Sequence, residues 1–321
     1  MKTKPLDILY CGVSEETIKT SKPKMDKINF ELLGYWISER YKIHLKKDFE
    51  KIEAPWTKDK ILSNYRFCNV RREQDKESKW LIKNVCEDSD LKYKNKLLNC
   101  ILFRLINKSE TLKIFKRLDF DNLDYSSVRK KLNLFHKENP DYVYFSNAFF
   151  TSGPKSVANL FFGKEEDMII KIIKLVEKYY LDGIIEKVTS SKSQKEVYEN
   201  LKSLRGIGPF LGYQIFVDFS YIPEFPYSEN EFVIAGPGCI KGLRLLFKNF
   251  NTLSYEESLF WIRDNQKGLF SKKLFENFSD LPEEERKLNI MCLENCMCEF
   301  SKYWRAKNKK GRPRIRYKYE N

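Results

Sequence analysis

The sequence predicts a mainly α-helical protein organised around a helical hairpin. From about residue 28 onward, apolar residues recur at the spacing of a helix face. A Gly-x-Gly-Pro turn at 206–209 joins two of these apolar stretches, within a hairpin at about 197–219. No Gly/Ser-rich linker divides the chain, so we expect one helical domain over 28–306, with a polar arm at 1–27 and a basic tail at 307–321.

The composition favours a polyanionic partner. The 321 residues include 59 Lys and Arg against 45 Asp and Glu, a net charge of +14, and 15% of the residues are aromatic. Because cations hold phosphates and aromatic rings stack on bases, this combination favours nucleic acid. The two histidines, His44 and His136, are too few for a histidine-rich metal site and leave few candidates for a histidine-based triad.

Individual helices can be placed from their apolar spacing and end signals. The clearest apolar face lies at 97–105, and others lie at 30–43, 168–176, 197–204, 255–262 and 288–300. Ser109 is a suitable start for a helix over 111–118, and Asp124 or Ser126 is a suitable start for another, which should stop at Asn139-Pro140. One short extended segment is expected at 142–145. We expect an intracellular chain, since the start lacks a signal-peptide core and no apolar run is long enough to span a bilayer.

The turn Leu204-Arg205-Gly206-Ile207-Gly208-Pro209-Phe210 has the pattern of a helix-hairpin-helix. Pro209 suits the first position of the second helix, where its missing N–H does no harm. The glycines allow backbone amides to approach a phosphate, and the helix N-terminus adds partial positive charge. We therefore expect Gly206, Ile207 and Gly208 to bind DNA phosphate without reading the base sequence. The alternative is an ordinary helical corner that ends in glycine.

Two carboxylates follow the hairpin. In helix-hairpin-helix DNA glycosylases, the catalytic carboxylate that lies beside the flipped base follows the hairpin turn at a characteristic distance along the sequence. Glu229 and Glu231 follow the turn at 206–209 at about that distance. Asn230 lies between them, and a Gly-Pro-Gly at 236–238 then opens another helix, where Gly236 and Gly238 are candidates to hold a second anion. The alternative for the acids is a solvated turn with an N-capping role.

Several stretches of the sequence match one family. They are Tyr65-Arg66-Phe67-Cys68-Asn69-Val70-Arg71-Arg72-Glu73-Gln74-Asp75, Leu105-Ile106-Asn107 with Glu110-Thr111, and the segments 204–212, 228–242 and 294–303. Through them the chain resembles, from about residue 28 to 318, the alpha-glutamyl/putrescinyl thymine pyrophosphorylase group, which is related to the helical domain of 5-hydroxymethyl-deoxyuridine DNA kinases. The resemblance implies a fold like that of the helix-hairpin-helix DNA glycosylases.

The resemblance also implies chemistry on a modified thymine in double-stranded DNA. A DNA kinase partner places pyrophosphate on the 5-hydroxymethyl group of uracil, and an enzyme of this group flips the base and replaces the pyrophosphate with an amine or amino acid. Glu231 is the expected general base, with Glu229 in reserve. The expected substrate-binding residues are arginines, amides and helix-start glycines: Arg66, Arg71, Arg72, Asn69, Asn107, Asn230, Gly236 and Gly238.

Two other functions stay open. A DNA glycosylase or lyase for a modified base would use the same hairpin and a carboxylate, although residues 210–218 contain no lysine nucleophile. A non-catalytic helical partner of a 5-hydroxymethyluracil DNA kinase encoded elsewhere would need only the DNA-binding surface. Kinase activity is not implied for this chain, since the sequence has no Gly-x-x-x-x-Gly-Lys-Ser/Thr motif. We expect no cofactor, no metal and no membrane partner.

Cys292, Cys296 and Cys298 form a C-x3-C-x-C pattern. A metal or iron–sulfur site needs four suitably placed ligands, and the remaining cysteines offer no paired spacing. We therefore expect buried, reduced thiols.

The tail carries a Gly-Arg-Pro core between cations and looks like an AT-hook, a segment that lies extended in the minor groove. The tail residues expected to bind DNA are Lys309, Lys310, Arg312, Arg314 and Arg316. The tail is expected to be mobile when free. A nuclear-localisation run and a basic tail packed on the domain are the alternatives.

Overall fold

The structure, a computed structural model, describes residues 23–146, 152–163, 167–248, 250, 253–278, 281–282, 286–313 and 315–317. Within these ranges the chain forms fifteen α-helices and no β-strand, which confirms the mainly α-helical prediction. The helices are α1 (Lys27–His44), α2 (Lys60–Asn64), α3 (Lys76–Leu81), α4 (Tyr93–Ile106), α5 (Ser109–Phe115), α6 (Tyr125–Glu138), α7 (Ser152–Phe162), α8 (Met168–Leu181), α9 (Ile184–Ser190), α10 (Gln194–Ser203), α11 (Pro209–Phe219), α12 (Pro237–Leu246), α13 (Tyr255–Leu269), α14 (Lys272–Glu276) and α15 (Ile290–Lys307). The glycosylase-like arrangement of these helices stays a prediction.

The chain divides into two compact units. Unit one comprises the residues before 72 and after 234, and unit two comprises residues 72–234. The predicted domain at 28–306 contains both units, and its boundaries stay a prediction. Within the described ranges, no helix combines the length and the apolar character needed to cross a membrane.

Unit one is built around the packing of α12 against α15. Gly238 and Gly242 lie one turn apart on α12, and both approach the backbone of α15 closely. A Cβ at Gly238 would overlap the Cys298 side chain, and a Cβ at Gly242 would overlap the Met297 carbonyl oxygen. The two glycines therefore allow a helix separation that larger residues would prevent.

Unit two encloses two helices on every side. All residues from Asn95 to Ile106 of α4 are buried, as are all from Leu211 to Phe219 of α11. Such all-round burial marks a core helix rather than an amphipathic surface helix. Gly212 of α11 lies against α10, where a Cβ would be 3.2 Å from the Lys202 nitrogen. The second helix of the predicted hairpin is thus part of the core of unit two.

The two helix starts expected from the sequence are present, but only one has a side-chain cap. Lys108 is the N-cap of α5, which begins at Ser109 and has no side-chain cap, and Asp124 rather than Ser126 is the N-cap of α6. The Asp124 side chain accepts hydrogen bonds from the Ser126 and Ser127 N–H groups at 3.0 and 3.1 Å, and α6 ends at Glu138, just before Asn139-Pro140. Residues 142–145, where an extended segment was expected, are irregular and form no β-bridge. Their polar groups are satisfied by neighbouring elements instead: the Thr111 hydroxyl donates to the Tyr144 carbonyl at 2.6 Å.

The end of the predicted N-terminal arm is part of unit one. The Asp26 N–H donates to the Leu246 carbonyl, and the Lys248 N–H donates to the Lys24 carbonyl, both at 2.8 Å. These bonds attach residues 24–26 to the end of α12. Residues 1–22 lie outside the described residues.

Candidate functional site

The hairpin turn between α10 and α11 requires glycine at one position. Gly206 has φ +92°, a left-handed conformation that glycine adopts without steric cost. A Cβ there would also lie 3.2 Å from the Pro154 Cα and 3.1 Å from a Val157 methyl carbon. The Tyr179 hydroxyl donates to the Arg205 carbonyl at 2.6 Å and fixes the turn from the other side. Gly206 is therefore needed for the shape of the turn.

The amides of the turn are not equally available to a ligand. The Ile207 N–H donates to the Leu204 carbonyl at 2.9 Å, and the Ile207 side chain is buried. Gly208 is exposed at the N-cap of α11, and a Cβ there would meet no atom within 4 Å. Among the described residues, no acceptor takes up its N–H. An exposed amide at a helix N-terminus has the geometry of an anion-binding group.

Gly208 offers a clean test of phosphate binding. Because its φ is −90° and its surroundings are open, a Gly208→Leu variant should fold normally but cover the amide. We expect its affinity for duplex DNA to fall about tenfold or more, equally for all sequences, because a charge-assisted contact is lost. Fluorescence anisotropy with AT-rich and GC-rich duplexes measures this. Gly268→Leu, at an equally open position on α13, is the control. Unchanged affinity of Gly208→Leu, with intact circular dichroism, would contradict the prediction.

The two candidate carboxylates lie in the segment after α11. Glu231 is exposed, and its Oε2 accepts a hydrogen bond from the Gln194 side chain at 3.0 Å. Glu229 is half-buried, and Asn230 is exposed, with its N–H donating to the Ser228 hydroxyl at 3.1 Å. Glu231 is thus the more accessible of the two acids and is held by a neutral partner.

Two of the protein's own carboxylates lie at the start of α12. The Ala235 N–H donates to Glu256 at 2.9 Å, and the Gly236 N–H donates to Glu294 at 3.3 Å. A second anion at Gly236 would have to displace Glu294. Gly238 has a packing role against Cys298, as described above. The sequence could not separate this role from anion binding, because both require glycine.

The three candidate phosphate-binding arginines differ in exposure. Arg66 is exposed, whereas Arg71 and Arg72 are only 7% and 8% exposed. Arg71, in unit one, lies 3.5 Å from the Lys287 carbonyl, and Arg72, in unit two, donates to the Gln214 side chain. Of these arginines, Arg66 is the one placed to meet a ligand from solvent.

The two asparagines expected to bind the uracil edge are buried and engaged by arginines. The Arg40 Nη2 donates to the Asn69 Oδ1 at 2.6 Å in unit one. The Arg104 Nη1 donates to the Asn107 Oδ1 at 3.1 Å in unit two, where Asn107 ends α4 with φ +52°. Both asparagines therefore have structural partners within their own units. Binding of a base to either one would have to use its remaining amide groups.

The structure also shows a buried ion pair that sequence analysis missed. Arg104 Nε donates to Asp218 Oδ2 at 2.7 Å, and a second bond joins Arg104 Nη2 to Asp218 Oδ1. Burial raises the pKa of Asp218, and the charge of Arg104 opposes that shift. The pair connects Asn107 through Arg104 to α11, the second helix of the hairpin. The sequence shows a charged residue within each of two apolar helical stretches, but no pattern in it pairs the two.

The basic tail is packed against unit one, one of the alternatives left open by the sequence. The Arg66 N–H donates to the Ile315 carbonyl at 2.9 Å, and the Tyr317 N–H donates to the Asn64 carbonyl at 3.0 Å. Residues 315–317 thus form an antiparallel contact with 64–66, and Pro313 is buried.

Of the candidate DNA-binding residues of the tail, Lys309, Lys310, Arg312 and Arg316 are exposed. Arg314 lies outside the described residues.

Two of the three cysteines of the cluster on α15 are buried, and Cys298 is half-buried. Cys292 and Cys296 are at most 1% exposed, and the Cys296 thiol lies 3.5 Å from the Val70 carbonyl. Burial raises the pKa of Cys298 to about 12, so this thiol stays protonated at neutral pH. Within the described ranges, no three His, Cys, Asp or Glu residues are arranged to hold a metal ion.

The fold and the hairpin define a basic, helical protein with an exposed amide at a helix N-terminus. Comparison with known proteins then gives the family: the model of the helical domain of 5-hmdU DNA kinase matches residues 27–312, and the chain belongs to this family. The resemblance inferred from the sequence is thereby confirmed.

One curated relative extends this finding. A 5-hmdU DNA kinase of Bacillus phage SP10 is 25% identical over 313 residues, which cover 93% of this chain and 48% of the phage protein. The chain therefore spans about half the length of the curated relative it matches. No solved structure matches this chain.

Proposed function

We propose that this chain is a DNA-binding, base-flipping enzyme of thymine hypermodification. It replaces the pyrophosphate of 5-(pyrophosphoryloxymethyl)uracil in DNA with an amine or amino acid. The observation that carries the proposal is the exposed Gly208 amide at the N-terminus of α11, in a chain of this family. That amide suits a backbone phosphate, and the acids Glu229 and Glu231 follow on the same unit.

The reaction is a substitution at the exocyclic carbon of the modified uracil. The amine nitrogen forms a bond to this carbon as the C–O bond to pyrophosphate breaks, and pyrophosphate leaves with the electron pair. The uracil ring helps to expel the leaving group. A general base takes the proton that the amine loses, and we assign this role to the exposed Glu231. Gln194 holds one of its oxygens and leaves the other for the amine.

We expect Glu231→Gln to reduce turnover about 100-fold or more while DNA affinity stays unchanged, because the amide keeps the shape but cannot take up a proton. Release of pyrophosphate from the modified DNA measures the rate. Glu186→Gln, at another exposed glutamate of unit two, is the control. If Glu231→Gln and Glu229→Gln both keep near wild-type rates, the assignment of the base fails.

A second candidate is a non-catalytic DNA-binding partner of a separate kinase. The observation that favours it is the coverage of the phage relative, since this chain spans about half of a kinase and matches the helical-domain model. The two functions differ in one result. A partner protein binds modified DNA and leaves its pyrophosphate in place for every amine offered.

A further inference from the structure

Three cationic side chains of unit one, Arg40, Lys47 and Arg66, lie beside the segment 64–68. Lys47 follows α1, Arg40 lies within it, and Arg66 directly precedes Phe67. Within the described part of the chain, no carboxylate forms an ion pair with any of the three. Partial burial lowers the pKa of Lys47, Asp48 opposes this, and the charges of Arg66 and Arg40 lower it further. The contacts place all three beside the segment 64–68: Arg40 binds the Phe67 and Cys68 carbonyls, directly after Arg66 in the chain. Lys47 lies against the ring of Tyr317, whose N–H donates to the Asn64 carbonyl.

One guanidinium nitrogen of this cluster is buried and unused. Arg40 is only 7% exposed, and its Nε and Nη2 bind the carbonyls of Phe67 and Cys68 and the Asn69 side chain at 2.6–3.3 Å. Its Nη1 has no hydrogen-bond partner within the described residues. A buried charged donor without an acceptor is costly, and an anion would satisfy it.

The docked tail supplies part of the surroundings of Lys47. Its ammonium lies 5.5 Å from the ring centre of Trp56 and 5.9 Å from that of Tyr317, and the two rings are 5.2 Å apart. Such cation–π contacts hold a lysine in place while leaving its N–H donors available. The tail backbone bond to the Arg66 N–H fixes the neighbouring cation.

We propose that Arg40, Lys47 and Arg66 form a phosphate-binding site on unit one, in which Tyr317 of the tail positions Lys47. The site deepens the proposed function and rests on it for the nature of the ligand, a phosphate of the DNA strand or of the leaving pyrophosphate. Both sources offer the same chemistry to arginine and lysine. Two acids lie near these cations: Glu299, which accepts from the Cys68 N–H, is paired with Lys302, and Asp48, whose charge acts on Lys47, binds the His44 ring. Three cations therefore face these two engaged carboxylates.

Isothermal titration of the full chain with inorganic pyrophosphate and, separately, with a short single-stranded oligonucleotide tests the site. We expect Lys47→Gln and Arg66→Gln to weaken binding of at least one probe about tenfold or more, and Tyr317→Ala to weaken the same probe less. The affected probe identifies the phosphate source. Lys267→Gln, which removes an exposed charge from α13, should change neither affinity.

The proposal is overturned if the wild-type chain binds neither probe, or if Lys47→Gln and Arg66→Gln bind both as tightly as Lys267→Gln does. Wild-type affinity of Tyr317→Ala would overturn the role of the tail. Thermal unfolding of each variant confirms that it is folded. A different result would show that only the proposed function fails. In that case binding of pyrophosphate or oligonucleotide depends on Lys47, but the protein does not turn over modified DNA.

Discussion

Asp218→Asn is expected to lower the free energy of unfolding by about 3–5 kcal/mol. The substitution keeps the shape of the side chain but removes the charge that balances Arg104, and these two side chains are 0% and 4% exposed. Arg104 would then remain charged in the core of unit two, between α4 and α11. Most of the penalty comes from this uncompensated charge rather than from the loss of one attractive contact. Urea unfolding followed by circular dichroism measures the change, with the slope checked for two-state behaviour.

Two further variants test whether the loss of stability comes from the unpaired buried charge of Arg104 or from the loss of any ion pair. Asp182→Asn breaks the exposed Lys178–Asp182 pair and should cost at most about 1 kcal/mol. Arg104→Met combined with Asp218→Leu removes both buried charges and should recover most of the lost stability. A loss below about 1 kcal/mol for Asp218→Asn would show that the core tolerates the unpaired arginine.

Gly242→Ala should destabilise unit one by about 3 kcal/mol, at the upper end of the usual cost of overpacking. The new methyl group would overlap the Met297 carbonyl oxygen on α15, and a backbone atom cannot move aside as a flexible side chain can. The two helices would have to separate along their whole contact. Thermal and urea unfolding measure the loss.

Gly268→Ala is the matched control for this helix substitution. Its Cβ would meet nothing within 4 Å, and alanine favours the helical backbone, so we expect a gain of about 0.4–1 kcal/mol. If Gly242→Ala behaves like Gly268→Ala, then α12 and α15 do not pack through their backbones as the structure describes.

Sequence reasoning succeeded where local chemistry determines the structure. Asp124 begins α6, and Pro209 takes the first position of α11, because capping and proline geometry act over a few residues. Arg104 and Asp218 are 114 residues apart in the chain, and no local pattern pairs two residues at such a distance. The sequence left a packed tail open as an alternative, but for the same reason it could not show that Ile315 pairs with Arg66.

Prediction of the candidate site was limited in the same way, because the sequence does not show which residues meet in the folded chain. The motif at 65–75 contains three arginines, and their spacing could not show that Arg71 and Arg72 turn inward while Arg66 stays exposed. The cations that accompany Arg66, namely Arg40 and Lys47, lie outside every recognised motif. Their convergence depends on how α1 packs beside the motif, which only the folded structure shows.

Mass spectrometry of nucleosides tests the central claim most directly. The purified full chain is incubated with duplex DNA that carries 5-(pyrophosphoryloxymethyl)uracil and with putrescine or glutamate, and the DNA is then digested. The proposed function predicts a new nucleoside whose mass corresponds to replacement of pyrophosphate by the amine, and Glu231→Gln should form much less of it. Unchanged pyrophosphorylated nucleoside with every amine offered, under conditions where the chain binds the DNA, would contradict the claim.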